Sequence, residues 1–306
     1  MITGLRATAI GFALGMTTLA GCGSPPSETA RNSSLLVAVS IVPQEYFVKR
    51  IGGDKVTVNA LIQPGVDPHT YEPKPEQLQR LSRAKAYFKV GVSLEDAWKD
   101  RLASVNDRLL LVDTSQGVQK IPLTAEHDHD HDHGHEKENH GGKRTLDQHI
   151  WLSPKRVKVQ VETIYKTLAR LDPANEGFYK ANFDTFARDL DALDKEIRQT
   201  LSGVKNRRFM VFHPEWGYFA KDYGLEMVAI ESEGNEPSAA ELARLISEAK
   251  KENIKVIFTQ PEFSRKSADT IAREIGGRVI PISAFDENWS ENLRSVARTM
   301  AGELDK

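Results

Sequence analysis

From Leu35 onward the chain alternates short apolar runs with longer amphipathic stretches. Residues 35–42 (LLVAVSIV) form a continuous apolar, largely β-branched run, which predicts a strand covered on both faces. Pro43 is expected to stop it, with a short helix over 44–51 closed by Gly52 and Gly53. A second strand is predicted over 56–62, then a loop rich in proline, then a helix over 76–85 opened by Pro75. Strand 86–92, helix 94–105 and strand 108–112 continue the alternation, and helical periodicity returns over 154–171. Strands alternating with helices predict an α/β fold with parallel sheets.

A much longer amphipathic pattern spans 174–202. Phe178, Phe183, Phe186, Leu190, Leu193, Ile197 and Leu201 recur at helical steps, with no proline after Pro173. Its length and central position fit a backbone helix joining two lobes better than a core helix within one. The alternation then restarts: strands over 208–212, 225–230, 255–259 and 278–282, helices over 237–253, 267–275 and 289–304. The expected organisation is an N-terminal α/β lobe over 35–171, a linking helix over 172–203 and a C-terminal α/β lobe over 204–306.

Composition narrows the function classes. At 306 residues, 40% hydrophobic and 27% charged, the chain has the profile of a soluble globular protein with room for two cores. A formal charge of -2 with no basic stripe gives no footprint for nucleic acid. The one cysteine, Cys22, permits neither an internal disulfide nor a thiolate zinc site. Ahead of it lie Arg6 and an apolar run over 7–20, the proportions of a signal peptide ending at residue 21. Leu19-Ala-Gly-Cys22 resembles a bacterial lipoprotein box, which makes Cys22 the expected lipid-bearing residue. Residues 22–34 read as a flexible tether. The expectation is an exported, periplasmic or cell-surface protein anchored by lipid while its globular part stays in water.

Histidine carries the candidate chemistry. Of nine histidines, six (His127, His129, His131, His133, His135 and His140) fall in a His/Asp-rich stretch within 126–142 that has nothing apolar to anchor it. A solvated loop of this kind suits weak, exchangeable contact with divalent metals. His69, His149 and His213 stand apart, each beside proline or aromatic residues and each in a predicted loop. In open α/β sheets such loops border the crevice beyond the strand ends. His69 and His149 come from one lobe and His213 from the other, so a shared ion would sit between lobes. Three imidazoles with an oxygen donor make a four-coordinate zinc site.

Asp67-Pro-His69-Thr-Tyr-Glu-Pro-Lys-Pro75, Asp147-Gln-His149-Ile-Trp-Leu-Ser-Pro154, Phe212-His213-Pro-Glu-Trp-Gly-Tyr-Phe219 and Gln260-Pro-Glu-Phe-Ser264 together resemble the metal-binding lipoproteins of bacterial ABC importers for zinc and manganese, the cluster A-I solute-binding family. The resemblance implies two α/β lobes on a rigid helix and one divalent ion in the cleft. It also implies His69, His149 and His213 as ligands, and as partners a membrane permease and its cytoplasmic ATPase. Histidine at the third position, with the His-rich loop, is similar to the zinc-type members; Mn²⁺ is the alternative cargo.

The family often places an aspartate at the end of the last strand, where this chain has Ser283. Asp286, three residues on, suits either a fourth ligand or a carboxylate capping the helix that follows. Water, Glu72 and Asp67 are the other options. Against the binding-protein reading stands a zinc hydrolase, for which Glu215 is the nearest general base, though no His-Glu-x-x-His helix is present. No sequence feature supports an adhesin. The expectation is a monomeric binding protein rather than an enzyme.

Overall fold

The structure is a computed structural model that describes Met1 and residues 34–66, 70–123, 145–231 and 234–306, the side chains of Ser93, Lys99 and Ala103 excepted. The N-terminal half runs β1 (Leu35–Ile41), α1 (Val42–Gly52), β2 (Val56–Ile62), α2 (Pro75–Leu81), β3 (Ala86–Lys89), α3 (Ser93–Val105), β4 (Leu110–Asp113) and α4 (Pro154–Leu171). Next comes α5 (Glu176–Leu201). The C-terminal half runs β5 (Arg208–Val211), α6 (Gly217–Tyr223), β6 (Glu226–Ala229), α7 (Ala239–Lys251), β7 (Val256–Thr259), α8 (Lys266–Ile275), β8 (Arg278–Pro281) and α9 (Trp289–Glu303).

Two four-stranded sheets result, ordered β2-β1-β3-β4 and β6-β5-β7-β8, and every pairing between neighbouring strands is parallel. The halves therefore repeat one topology. In each, the strand order reverses beside the first strand, which opens a crevice at the carboxyl ends. The apolar run of β1 is buried as its composition requires. Pro43 does not break the chain there: it occupies the first turn of α1, where its missing N–H costs no hydrogen bond.

The long helix α5 spans 26 residues. Its buried stripe is Tyr179, Phe186, Leu190, Leu193, Ile197 and Leu201, steps of seven, four, three, four and four. Phe178, read from the sequence as part of that stripe, is instead exposed and lies against Gly53 and Lys55. The helix packs against α1, α4 and α9.

The last helix departs from a simple two-lobe division. Although α9 follows the second sheet in sequence, Trp289 meets Phe47 of α1 edge-on at 5.0 Å, and Ser290 bonds the Tyr46 hydroxyl at 2.9 Å. Two buried indoles cross between the halves. Trp151 Nε1 donates to the Ala284 carbonyl at 3.0 Å, and Trp289 Nε1 donates to the Trp151 carbonyl at 2.8 Å. Arg156 of α4 pairs with Asp222 of α6 at 2.8 Å and lies over the Tyr218 ring at 4.3 Å. One continuous apolar cluster runs through both sheets, α5 and α9, and Ser34–Lys306 form one compact unit. A large apolar contact of this kind resists the lobe motion that a small polar interface permits.

Two outcomes follow for solution experiments. Replacing buried Trp289 by alanine removes an indole that both halves use, so Trp289→Ala is expected to cost about 3–5 kcal/mol in denaturant unfolding. The unmodified protein is expected to unfold in a single cooperative transition; two resolved transitions would contradict the shared core.

Candidate metal centre

The first ligand segment lies between a bridge pairing Pro122 with Leu146 and the tight turn Ile150–Leu152. The Asp147 N–H donates to the Ile121 carbonyl at 2.9 Å, and the Tyr218 hydroxyl donates to the Asp147 carbonyl at 2.8 Å. The C-terminal half thus grips the chain just ahead of His149. The Asp147 carboxylate turns back on its own segment, accepting from the His149 backbone N–H at 2.9 Å and meeting His149 Nδ1 at 2.8 Å. Its other oxygen sits 2.6 Å from where a Cβ on Gly217 would be. Only glycine at the start of α6 lets that carboxylate approach.

The second ligand segment leaves β5. Gln260, just past β7, holds it at two points: its side-chain oxygen accepts from the His213 N–H at 3.2 Å, and its NH₂ donates to the His213 carbonyl at 2.9 Å. Glu231, just past β6 and 4% exposed, meets His213 Nδ1 at 2.7 Å. Phe263 stacks on the imidazole with ring centroids 4.6 Å apart.

Both rings therefore present Nδ1 to a carboxylate. That partner fixes the tautomer with the proton on Nδ1 and leaves a lone pair on Nε2. The two Nε2 atoms face each other at 3.3 Å across planes inclined by 83°. Zinc–imidazole bonds of 2.0–2.1 Å at a tetrahedral angle require a ligand–ligand edge of about 3.3 Å. The spacing fits one shared cation.

Glu215 joins them. One of its oxygens, His149 and His213 each offer a ligand atom, all within 4.8 Å of one another. Burial, and then the charge of Glu262, push its carboxyl well above the usual carboxylate range. His149 and His213 border a cleft of about 520 Å³ lined also by Leu123, Thr145, Phe212, Glu236 and Phe263, while Glu215 lies buried behind that lining.

Of the residues singled out from sequence, His149 and His213 converge. His69, Asp67, Cys22 and the six histidines His127, His129, His131, His133, His135 and His140 lie outside the described residues. Asp286 bonds within the turn ahead of α9, its carboxylate accepting from the Asn288 N–H at 2.8 Å without capping that helix, and it is not among the described residues lining the cleft. Glu72 is exposed and also outside that lining. Two members of the centre were not anticipated from sequence. Asp147 was visible within its motif, two residues before His149, but carried no assigned role. Glu231 had no local signal, since 18 residues separate it from His213.

The family model for the periplasmic zinc-uptake complex component A, ZnuA, matches residues 37–302. The chain belongs to this family. The high-affinity zinc uptake system protein ZnuA of Bacillus subtilis is 33% identical over 274 residues, covering 88% of this chain and 85% of that protein. A crystal structure of ZnuA matches with a TM-score of 0.81 at 42% identity, over 89% of this chain and 99% of that one. The solute-binding protein FpvC of Pseudomonas aeruginosa, in complex with Mn²⁺, matches with a TM-score of 0.72 at 25% identity, over 88% of this chain and 97% of that one. The family is a periplasmic transport component rather than an enzyme family.

The roles of the two carboxylates are measurable. Asp147→Asn and Glu231→Gln each remove an outer partner of a ligating imidazole and are expected to lower zinc affinity by roughly 10–100-fold. Competition against a chromophoric chelator reads the change; unaltered affinity in both would show that the imidazoles need no such support.

Proposed function

We propose that this chain is the extracytoplasmic zinc-binding component of an ABC importer, capturing Zn²⁺ between its lobes and handing it to a membrane permease driven by a cytoplasmic ATPase. The observation that carries the reading is the 3.3 Å approach of His149 Nε2 and His213 Nε2, one from each half of the chain. Neutral imidazoles are good zinc ligands, whereas Mn²⁺ favours oxygen, so this pair supports zinc as cargo over manganese. His69, from the loop after β2, is assigned as the third imidazole. A catalytic reading has less support: Glu215 is buried rather than open to a water-filled approach, and the family is a transport component.

The His-rich segment, with His127, His129, His131, His133, His135 and His140, is assigned to gathering zinc through weak, exchangeable contacts. Calorimetry tests both assignments. The unmodified protein is expected to bind one Zn²⁺ tightly and more ions weakly, and to bind Mn²⁺ far less well. His69→Ala, His149→Ala and His213→Ala should each abolish the tight phase, and deleting 126–142 should remove only the weak one. Tight zinc binding retained in all three single variants would overturn the site; unchanged stoichiometry in the deletion would overturn the gathering role.

Residues 1–21 are assigned as a lipoprotein signal peptide and Cys22 as the lipidated residue of a monomeric, membrane-anchored protein. Among the described residues no helix is long and apolar enough to cross a membrane. In detergent phase separation of bacteria expressing the full chain, the protein is expected in the detergent phase and Cys22→Ser in the aqueous phase. A detergent-phase Cys22→Ser protein would refute the anchor.

A further inference from the structure

We propose that Glu215 supplies the oxygen ligand of the metal centre, so that the carboxylate is donated from the His213 loop and not from the end of the last strand. The proposal rests on the zinc reading above and adds to it the identity of the oxygen donor. The residues at the end of β8 are committed elsewhere. Ser283 accepts the Phe285 N–H on its hydroxyl oxygen at 3.1 Å and receives the Asn292 side-chain amide on its carbonyl. Asp286 receives the Asn288 N–H, and both residues thereby shape the turn into α9. Among the described residues, Asp286 is not in the cluster of possible ligand atoms that His149, His213 and Glu215 form.

The other carboxylates beside the two imidazoles are engaged as well. Asp147 and Glu231 hold the Nδ1 atoms, on the side of each ring away from the shared Nε2 edge. Glu236 accepts from the Ser267 hydroxyl. Glu215 differs in three ways. An oxygen of its carboxyl lies within 4.8 Å of a ligand nitrogen on each histidine. The residue is 1% exposed, so water does not solvate it. Among the described residues its Oε1 has no hydrogen-bond partner, although the Gln260 and Trp216 side chains lie beside the carboxyl. A buried, unpaired carboxyl oxygen is costly unless something compensates it, and a divalent cation does so most strongly.

The backbone makes the reach short. The Glu215 N–H donates to the His213 carbonyl at 2.8 Å, a tight turn that brings a side chain two residues beyond a ligand to the same ion. The Pro214 between them restricts that turn further. Two nitrogens from opposite halves and one oxygen from the floor then define three corners of a tetrahedron.

The test compares E215Q, E215D and D286N with the unmodified protein, reading zinc affinity by chelator competition and the visible absorption bands of the Co²⁺-loaded form. Circular dichroism checks the fold. E215Q keeps the shape of the side chain but is a poor anionic ligand. It is expected to lose more zinc affinity than the roughly 10–100-fold that an outer partner costs, and to change the cobalt bands. E215D, which retains a carboxylate, should recover part of both. D286N should change neither. Unchanged affinity and cobalt bands in E215Q, or a change in D286N alone, would overturn the assignment of Glu215. Failure of the unmodified protein to bind zinc tightly would instead overturn the functional reading on which it rests.

Discussion

Two imidazole nitrogens 3.3 Å apart, contributed by opposite halves of the chain, set the demand that the rest of the structure meets. Two ring nitrogens at that distance suit a shared cation or a hydrogen bond between the rings, and it is the scaffold that brings them there. Asp147 and Glu231 fix the ring tautomers, Gln260 clamps the His213 backbone, and Tyr218 ties the His149 segment to the other half. An error of 1 Å in lobe placement would separate the pair beyond the reach of one ion. The indole bonds of Trp151 to the Ala284 carbonyl and of Trp289 to the Trp151 carbonyl, with the return of α9 to α1, hold the lobes to that tolerance.

The same rigidity shapes how the centre selects its cargo. In a preformed site the ligand geometry is built during folding, so binding does not pay to order it. Nitrogen donors favour zinc over manganese, while a buried carboxyl beside them offers an oxygen donor that a divalent cation can engage. Burial of both histidines and of Glu215 keeps competing water away from the first contacts. Capture, on this account, is a property of the folded cleft and not of a closing motion.

Much of this was legible in the sequence because it depends on short-range pattern. Apolar β-branched runs marked the strands, and three- and four-residue spacing marked α5. The errors have physical sources. Phe178 fits the helical spacing of α5, yet Tyr179 is the buried neighbour, because a stripe one residue wide does not say which flank faces the core. The short helix α6 hid inside an aromatic run, Trp216-Gly-Tyr-Phe219, that reads equally as a loop. The crossing of α9 to the first lobe is set by tertiary packing alone. At the centre, His149 and His213, which the structure brings together, could be singled out because their motifs are local. Glu231 was not, since only the parallel pairing of β5 with β6 brings it beneath His213. Asp286 and Glu215 were both visible, but sequence alone does not tell a carboxylate bonded within a turn from a buried one.

A crystal structure of the zinc-loaded protein, with the ion located by its anomalous scattering, tests the central claim most directly. Zinc is expected between the two halves, bonded to His149 Nε2 and His213 Nε2 at about 2.0–2.1 Å, with the lobes placed as they are here. Zinc found only in the 126–142 segment, or bound between these histidines only after the lobes have rotated apart or together, would contradict it.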